Sequence, residues 1–266
     1  MGVTVKFEAP ASGTDLATQI SMVNNAVAAH VKGIILAAQN PKALLAPVRS
    51  AKKAGIPVVT VDSGITPNLS DSFLATSNRA SSAALARYVA KKVHGHGAYA
   101  IIDFNEESST GILRPKGFRQ GMAAFPHMKY IGMQIGNNSI PKSTSEAETF
   151  IESHPNINVM FGANDRSAIG VADAVKQMHK VKKIIVAGFD ADLGEVTLIK
   201  NRVISASILQ SPYSMGYRAV YNLMRILAHK PVAKRVYTPY RLVTPANIHT
   251  PAAIRMIKQY IPSYKG

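Results

Sequence analysis

The sequence predicts an α/β fold in which two lobes are each built around a parallel sheet. Short apolar runs rich in Val, Ile, Leu and Phe alternate along the chain with amphipathic segments of helical period. Strands buried on both faces and separated by helices are typical of parallel sheets. The strand–helix unit recurs too often for one small sheet, and 266 residues suffice for two modest lobes.

The first elements follow from local patterns. Residues 3–7 alternate apolar and polar side chains, which predicts a strand. A helix is expected to start near Thr14, because the next apolar residues share one helical face: Leu16, Ile20, Val23 and Val27. "GIILAA" at 33–38 is typical of a buried strand, and a helix from Asn40 to Gly55 follows, which Pro47 should kink.

The remaining elements continue the alternation. The predicted strands are "IPVVTVDSG", "SFLATSN", "AYAIIDF", "YIGMQI", "NVMFGAND", "KIIVAGFD" and "SASILQ", followed by a pair of short strands. One predicted helix follows "SFLATSN" and ends near Val93. The other predicted helices lie at about 110–125, 143–154, 166–179, a short segment after Asp190, 214–229 and 251–261.

The formal charge of +16 is unevenly distributed, since no acidic residue follows Glu195 while eleven Lys or Arg do. Such a field favours anionic partners. These cations are scattered through helices and strands and lack the interleaved aromatics of a nucleic-acid platform. We therefore expect a solvated basic surface and no nucleic-acid partner.

Several functional classes find no support in the motifs. The chain has no cysteine, no apolar run long enough to span a membrane, and no secretory leader in its first thirty residues. It also lacks G-x-G-x-x-G after a strand, a P-loop, H-E-x-x-H and G-x-S-x-G. His94 and His96 have no third ligand nearby in sequence. We therefore predict no catalytic residue, no cofactor and no metal, and membrane contact that is peripheral at most.

Polar side chains stand at the carboxyl ends of the predicted strands, where open α/β sheets bind ligands. Read in chain order, these ends carry Gln39, Asp62 with Ser63, Phe104 with Asn105, Asn164 with Asp165, Asp190 and Gln210, of which all but Phe104 are polar. Any single one is explained as a helix N-cap, and we favour that role for Asp165 and Asp192. Together, Asp62, Asn164, Asp190 and Gln210 are better explained by a shared polar pocket, since carboxylates and amides bond bidentately to adjacent hydroxyls.

Five segments in register resemble the sugar-binding proteins of bacterial ABC importers, in particular the ribose-binding branch of the type I periplasmic binding family. They are "VVTVDSG", "GILRPKGFRQGM", "MFGANDRSAIG", "VAGFD" and "ASILQSPYSMGYRAV". The resemblance implies two Rossmann-like lobes joined by a three-crossover hinge. It also implies lobes of 1–77 plus 211–243 and of 78–210 plus 244–266, with a pentose or hexose held in the cleft between them.

The resemblance also assigns roles. Asp62 resembles the carboxylate that accepts two sugar hydroxyls, and Arg114 the guanidinium that reaches the ring from the second lobe. Asn164, Asp190 and Gln210 resemble the remaining hydrogen-bonding set. Two positions depart from the pattern: Ser63 replaces the arginine of ribose binders, and no stacking aromatic lies between Met133 and Ser145.

Further expectations follow from the same family. The partners implied are a sugar and the permease subunits of an ABC transporter, for a monomer in the periplasm or on the cell surface. Family members begin with a strand, a loop and a helix, and the residues at the end of that helix resemble residues 2–7 of this chain. Met1 is therefore expected to be an internal position of a longer protein. The alternative is the effector-binding core of a LacI-type repressor, and an enzyme ranks third.

Overall fold

A computed structural model describes residues 2–13 and 15–265 of the chain, which divide into two units. The first unit contains the chain up to Leu74 together with Glu107–Ser109 and Gly216–Val236. The second contains Ala75–Glu106, Thr110–Met215 and the chain from Tyr237 onward. Met1 and Thr14, to which two expectations refer, lie outside the described residues.

Strands and helices alternate along most of the chain. The strands are β1 Ile34–Leu36, β2 Val58–Val61, β3 Ser72–Ala75, β4 His96–Asp103, β5 His127–Ile135, β6 Ile157–Gly162, β7 Ile185–Phe189, β8 Ile204–Leu209, β9 Arg235–Tyr237 and β10 Arg241–Val243. The helices are α1 Leu16–Ala28, α2 Leu45–Lys53, α3 Asn78–Lys92, α4 Ser109–Met122, α5 Ile140–Ser153, α6 Asp165–Gln177, α7 Leu193–Lys200, α8 Pro212–Leu227 and α9 Pro251–Ile257.

The first unit contains a four-stranded sheet in the order β1-β2-β3-β9, with β1, β2 and β3 parallel. Because successive residues of β2 point to opposite faces, Val58 joins the core under α1 and α2, whereas Val59 packs with Ala219 of α8. Asp15 caps α1 by accepting a hydrogen bond from the backbone N–H of Thr18.

Residues 3–7 do not form the strand that their alternation predicts. Residues 2–10 have no regular secondary structure, and Val5 and Phe7 are 65% and 88% exposed. Within the described residues, β1 is the end strand of the sheet and pairs only with β2. A period-two segment becomes a strand only where a neighbour accepts its hydrogen bonds, and this segment has none.

The second unit contains a six-stranded sheet in the order β10-β8-β7-β6-β4-β5. All neighbouring strands are parallel except β10, which runs antiparallel to β8. One core lies between the sheet and α5, α6, α7 and α9, and a second lies between the opposite face and α3 with α4. The carboxyl ends of the parallel strands therefore meet at one edge, where the predicted polar residues lie.

Some predicted boundaries shift. Helix α2 begins at Leu45 rather than at Asn40, which places Pro47 in its first turn, where proline needs no kink. Tyr237 and β10 lie in the second unit, in which β10 hydrogen-bonds to β8. No helix of the described chain is long and apolar enough to cross a membrane.

Candidate functional site

The second unit joins three predicted residues into one hydrogen-bonded group around Asp190. Asp190 directly follows β7, and Gln210 directly follows the adjacent β8. The Gln210 Nε2 donates to Asp190 Oδ1, and the Arg114 Nη1 donates to Asp190 Oδ2 at 3.3 Å. Asp190 has a positive φ of 90°, a backbone conformation that is uncommon for residues other than glycine.

Arg114 is held in place on every side. Its side chain is 3% exposed, Nε donates to Asn78 Oδ1 at 2.9 Å, and Nη1 also donates to the Ala163 carbonyl at 2.9 Å. The guanidinium carbon lies 3.9 Å from the centre of the Phe189 ring and 5.6 Å from that of Phe104. A guanidinium stacked on a ring and bonded at two nitrogens presents its remaining donors in a fixed direction.

Asn164, rather than the expected Asp165, is the N-cap of α6. Its Oδ1 accepts from the Ser167 N–H at 2.9 Å and so caps α6, while its Nδ2 donates to Asn138 Oδ1 at 2.8 Å. Asn138 lies in the turn after β5 with a φ of 55°, a left-handed conformation that asparagine tolerates. Sequence reasoning missed Asn138, and the "GNNS" turn that carries it was the available signal.

Buried carboxyl groups surround this set. Burial first, and then the nearby Asp190 charge, raise the pKa of Asp165 to about 6. Burial also raises the pKa of Glu195 well above its usual value, although the Ser207 hydroxyl donates to its Oε1 at 2.6 Å. Burial raises the pKa of Asp103, at the end of β4, to about 7. These groups hold protons more tightly than free carboxyl groups do. Asp190 differs from them in geometry, because each of its carboxyl oxygens accepts a hydrogen bond from a side chain, one from Gln210 and one from Arg114.

The remaining predicted residues, Gln39, Asp62 and Ser63, lie in the first unit at the ends of β1 and β2. The Asp62 N–H donates to the Leu74 carbonyl at 2.9 Å, and Asp62 has a φ of 55°. The Ser63 hydroxyl is 3.0 Å from that of Ser109, and Ser63 is only 5% exposed. The Gln39 Nε2 donates to the Ser12 carbonyl at 3.2 Å.

Comparison with protein families identifies the chain. A family model described as a periplasmic binding protein domain matches residues 1–231. The chain belongs to this family. Its membership confirms the family expected from the sequence, and the α/β fold class is confirmed by the solved structures described next.

Curated relatives are named for sugars. The D-ribose/D-allose-binding protein of Pseudomonas aeruginosa is 26% identical over 253 residues, which cover 90% of this chain and 79% of the relative. The D-apiose import binding protein of Paraburkholderia graminis is 30% identical over 197 residues, covering 74% and 63% of the two chains.

Solved structures agree with this family. An ABC transporter solute binding protein from Agrobacterium vitis with bound D-fucose has a TM-score of 0.91 and 30% identity, with 96% of this chain and 89% of that chain covered. A carbohydrate transporter solute binding protein from Agrobacterium radiobacter in complex with D-arabinose has a TM-score of 0.88 and 27% identity, with 92% and 85% covered.

Proposed function

We propose that this protein is the substrate-binding component of an ABC importer and that it captures a pentose or hexose monosaccharide. The observation that carries the proposal is the fixed polar set of the second unit: a carboxylate and amides at the carboxyl ends of adjacent strands, with the Arg114 guanidinium of α4 bonded to that carboxylate. The bound D-fucose and D-arabinose of similar structures support the same ligand class.

The chemistry of the set suits vicinal hydroxyls. A sugar hydroxyl donates one hydrogen bond and accepts others, and a carboxylate beside a guanidinium can meet both demands. Gln210 Oε1 is buried and has no hydrogen-bond partner within the described part of the chain, so it offers an open acceptor. Because Arg114 is already ordered by Asn78 and Ala163, little side-chain entropy is lost when a sugar binds.

We extend the proposal to the first unit by the family resemblance. Asp62 supplies a second carboxylate, Gln39 an amide, and Ser63 a position where ribose binders carry arginine. Phe104 supplies an apolar ring near the Arg114 guanidinium. The Ser63 hydroxyl is already bonded to Ser109, so we expect it to shape the site more than to bind the sugar directly.

The wider assignment includes the transporter. We propose permease subunits as partners, a monomeric state and an extracytoplasmic location. We also propose the lobe bounds that the resemblance implies, 1–77 plus 211–243 and 78–210 plus 244–266, which differ from the two units at 75–77, 107–109, 211–215 and 237–243. The proposal contains no catalytic step, cofactor or metal. The repressor alternative is not favoured, because the relatives and structures described above are named for sugar binding and transport.

Titration calorimetry against a sugar panel tests the proposal. The panel contains D-ribose, D-allose, D-apiose, D-arabinose, D-fucose and D-tagatose, and we expect saturable heat with at least one. Gln210→Ala removes the open acceptor and the Asp190 partner, and should cost about 1–3 kcal/mol of binding. Gln177→Ala, an exposed glutamine of α6, is the matched control. Absence of heat with every sugar, or an unchanged affinity in Gln210→Ala, would reject the assignment.

A further inference from the structure

The layer formed by α3 and α4 differs from the rest of the second unit in its charge. These two helices cover one face of the sheet and pack backbone to backbone, since a Cβ added at Gly117 or Gly121 would collide with the carbonyl of Arg79 or Ala83. They therefore form one shallow surface. We call its six exposed cations the cationic face: Arg79, Arg87, Lys91, Lys92, Lys116 and Arg119.

No carboxylate balances this face from its own segments. The chain has no Asp or Glu between Asp71 and Asp103, or between Glu107 and Glu146, and these two intervals contain all of α3, α4 and β5. Acidic residues are instead found on the helices of the opposite face: Glu146, Glu148, Glu152, Asp165, Asp173 and Glu195. The second unit is thus charged asymmetrically across its sheet.

Three of the six cations are positioned by groups that leave their charge intact. The Arg79 Nε donates to Gln120 Oε1 at 2.7 Å, Arg119 lies 4.6 Å from the centre of the Tyr130 ring, and Lys92 lies 5.3 Å from that of Tyr88. The ion pairs among the described residues involve none of the six. Amides and rings orient a cation without neutralising it, so the face keeps its full attraction for anions.

A surface cavity of about 580 Å³ opens at the carboxyl end of α4, within this layer. Lys116 and Arg119 line it together with Tyr99 and Tyr130. Two cations above aromatic walls suit a phosphate carried on a small organic group. The cavity has room for one phospholipid headgroup.

We propose that the cationic face docks on the surface of an anionic lipid bilayer, with one phosphate headgroup in the α4 cavity. The four cations of α3 are spread over 14 residues, or about 20 Å along the helix, and those of α4 lie beside them. A shallow layer of spread charges matches a plane of mobile headgroups, whereas a duplex calls for a protruding helix or a concave groove. The inference does not depend on sugar binding, because no residue of the cationic face belongs to the proposed sugar site.

Vesicle co-sedimentation tests the proposal with the full chain and no sugar. We expect binding to phosphatidylcholine vesicles that contain about one-third phosphatidylglycerol, weak binding to pure phosphatidylcholine, and loss of binding at high salt. The test variant carries Arg87→Gln, Lys91→Gln, Lys116→Gln and Arg119→Gln. Each cation near an anionic surface contributes about fivefold, so the variant should bind at least about a hundredfold more weakly.

A matched control removes the same charge elsewhere. Lys142→Gln, Lys180→Gln, Lys182→Gln and Lys183→Gln change exposed or half-exposed lysines of α5 and the α6–β7 connection. This control should keep most of the vesicle binding, and sugar calorimetry on both variants checks that folding and the sugar site are intact. Any of three outcomes would overturn the proposal. The two variants could lose equal amounts of vesicle binding, or the parent could bind neutral vesicles as well as anionic ones. Single-stranded DNA could also displace the protein from vesicles at a lower concentration than phosphatidylglycerol vesicles do.

Discussion

Replacing Asp190 by Asn tests how the second-unit set works. The carboxylate offers an acceptor to each of two donors, Gln210 Nε2 and Arg114 Nη1. Asparagine has one acceptor oxygen and one NH₂ group, so one of the two donors must then face another donor. The substitution keeps the size of the side chain, and asparagine tolerates the positive φ of 90° at this position.

The magnitude follows from the geometry. A hydrogen bond to a charged group contributes about 1.5–3 kcal/mol, and removal of one partner from a fully buried ion pair costs about 3–5 kcal/mol. Here the Arg114–Asp190 separation is 3.3 Å, the Asp190 side chain is 18% exposed, and Arg114 keeps Asn78 and the Ala163 carbonyl. We therefore expect a loss of about 1–2 kcal/mol in the free energy of unfolding and a sugar affinity about 10–100-fold weaker.

Urea unfolding and titration calorimetry measure the two quantities on the same preparations. Asp173→Asn is the control, because Asp173 pairs with Lys176 at 3.5 Å on the surface of α6, where such a pair contributes little. The reasoning is refuted if Asp190→Asn binds its sugar as tightly as the parent while unfolding at a lower urea concentration. That result would make the Arg114–Asp190–Gln210 set a structural brace only.

Three further predictions concern folding. Gly117→Ala should lower the free energy of unfolding by about 1–3 kcal/mol, because the added methyl group would collide with the Arg79 carbonyl. Gly216→Ala has open space around it and should raise that free energy by up to about 1 kcal/mol. Equal effects of the two variants in urea unfolding would contradict the packing of α3 on α4. The folded-state pKa of Asp103 lies at about 7, above its usual 3.8, so its stabilising effect is complete below about pH 4 and is lost as pH rises toward 7. Asp103→Asn should thus flatten the dependence of unfolding free energy on pH in that window, and an unchanged slope would exclude a raised pKa. In hydrogen exchange, residues 2–10 should lose protection at once while β4 stays protected, and slow exchange in 2–10 would show that this segment is paired.

The fold and much of the site could be predicted because the residue pattern of each strand agrees with the place of that strand in the sheet. β7 is a continuous apolar run, and β6 is apolar except for Asn158, because helices cover both faces of their sheet. Asn164 follows β6 after one further residue, and Asp190 follows β7 directly. Asn164 and Asp190 were therefore predictable from position alone. The conformation of residues 3–7 was not predictable in this way, because alternating apolar and polar residues form a strand only when a neighbouring strand pairs with them.

The missed residues act through contacts distant in sequence. Asn78 opens α3 and is separated from Arg114 by 36 positions, yet its amide oxygen fixes the guanidinium. Asn138 occupies a left-handed turn whose partner is 26 positions away. Glu195 occupies the first turn of α7, where acidic residues are common at exposed helix starts, but here it is fully buried against Ser207. The "GNNS" sequence marks Asn138 as a turn residue but does not reveal its partner, and no local pattern marks Asn78 or Glu195 as buried.

The left-handed backbone at Asp62 and Asp190 limits what these positions can become. Their φ angles of 55° and 90° admit glycine, asparagine and aspartate at low cost and penalise alanine and β-branched residues. A library of variants at both positions, selected for folding without sugar, should therefore retain mainly glycine, asparagine and aspartate. If these positions also bind the ligand, a selection for sugar binding should enrich aspartate over asparagine and glycine.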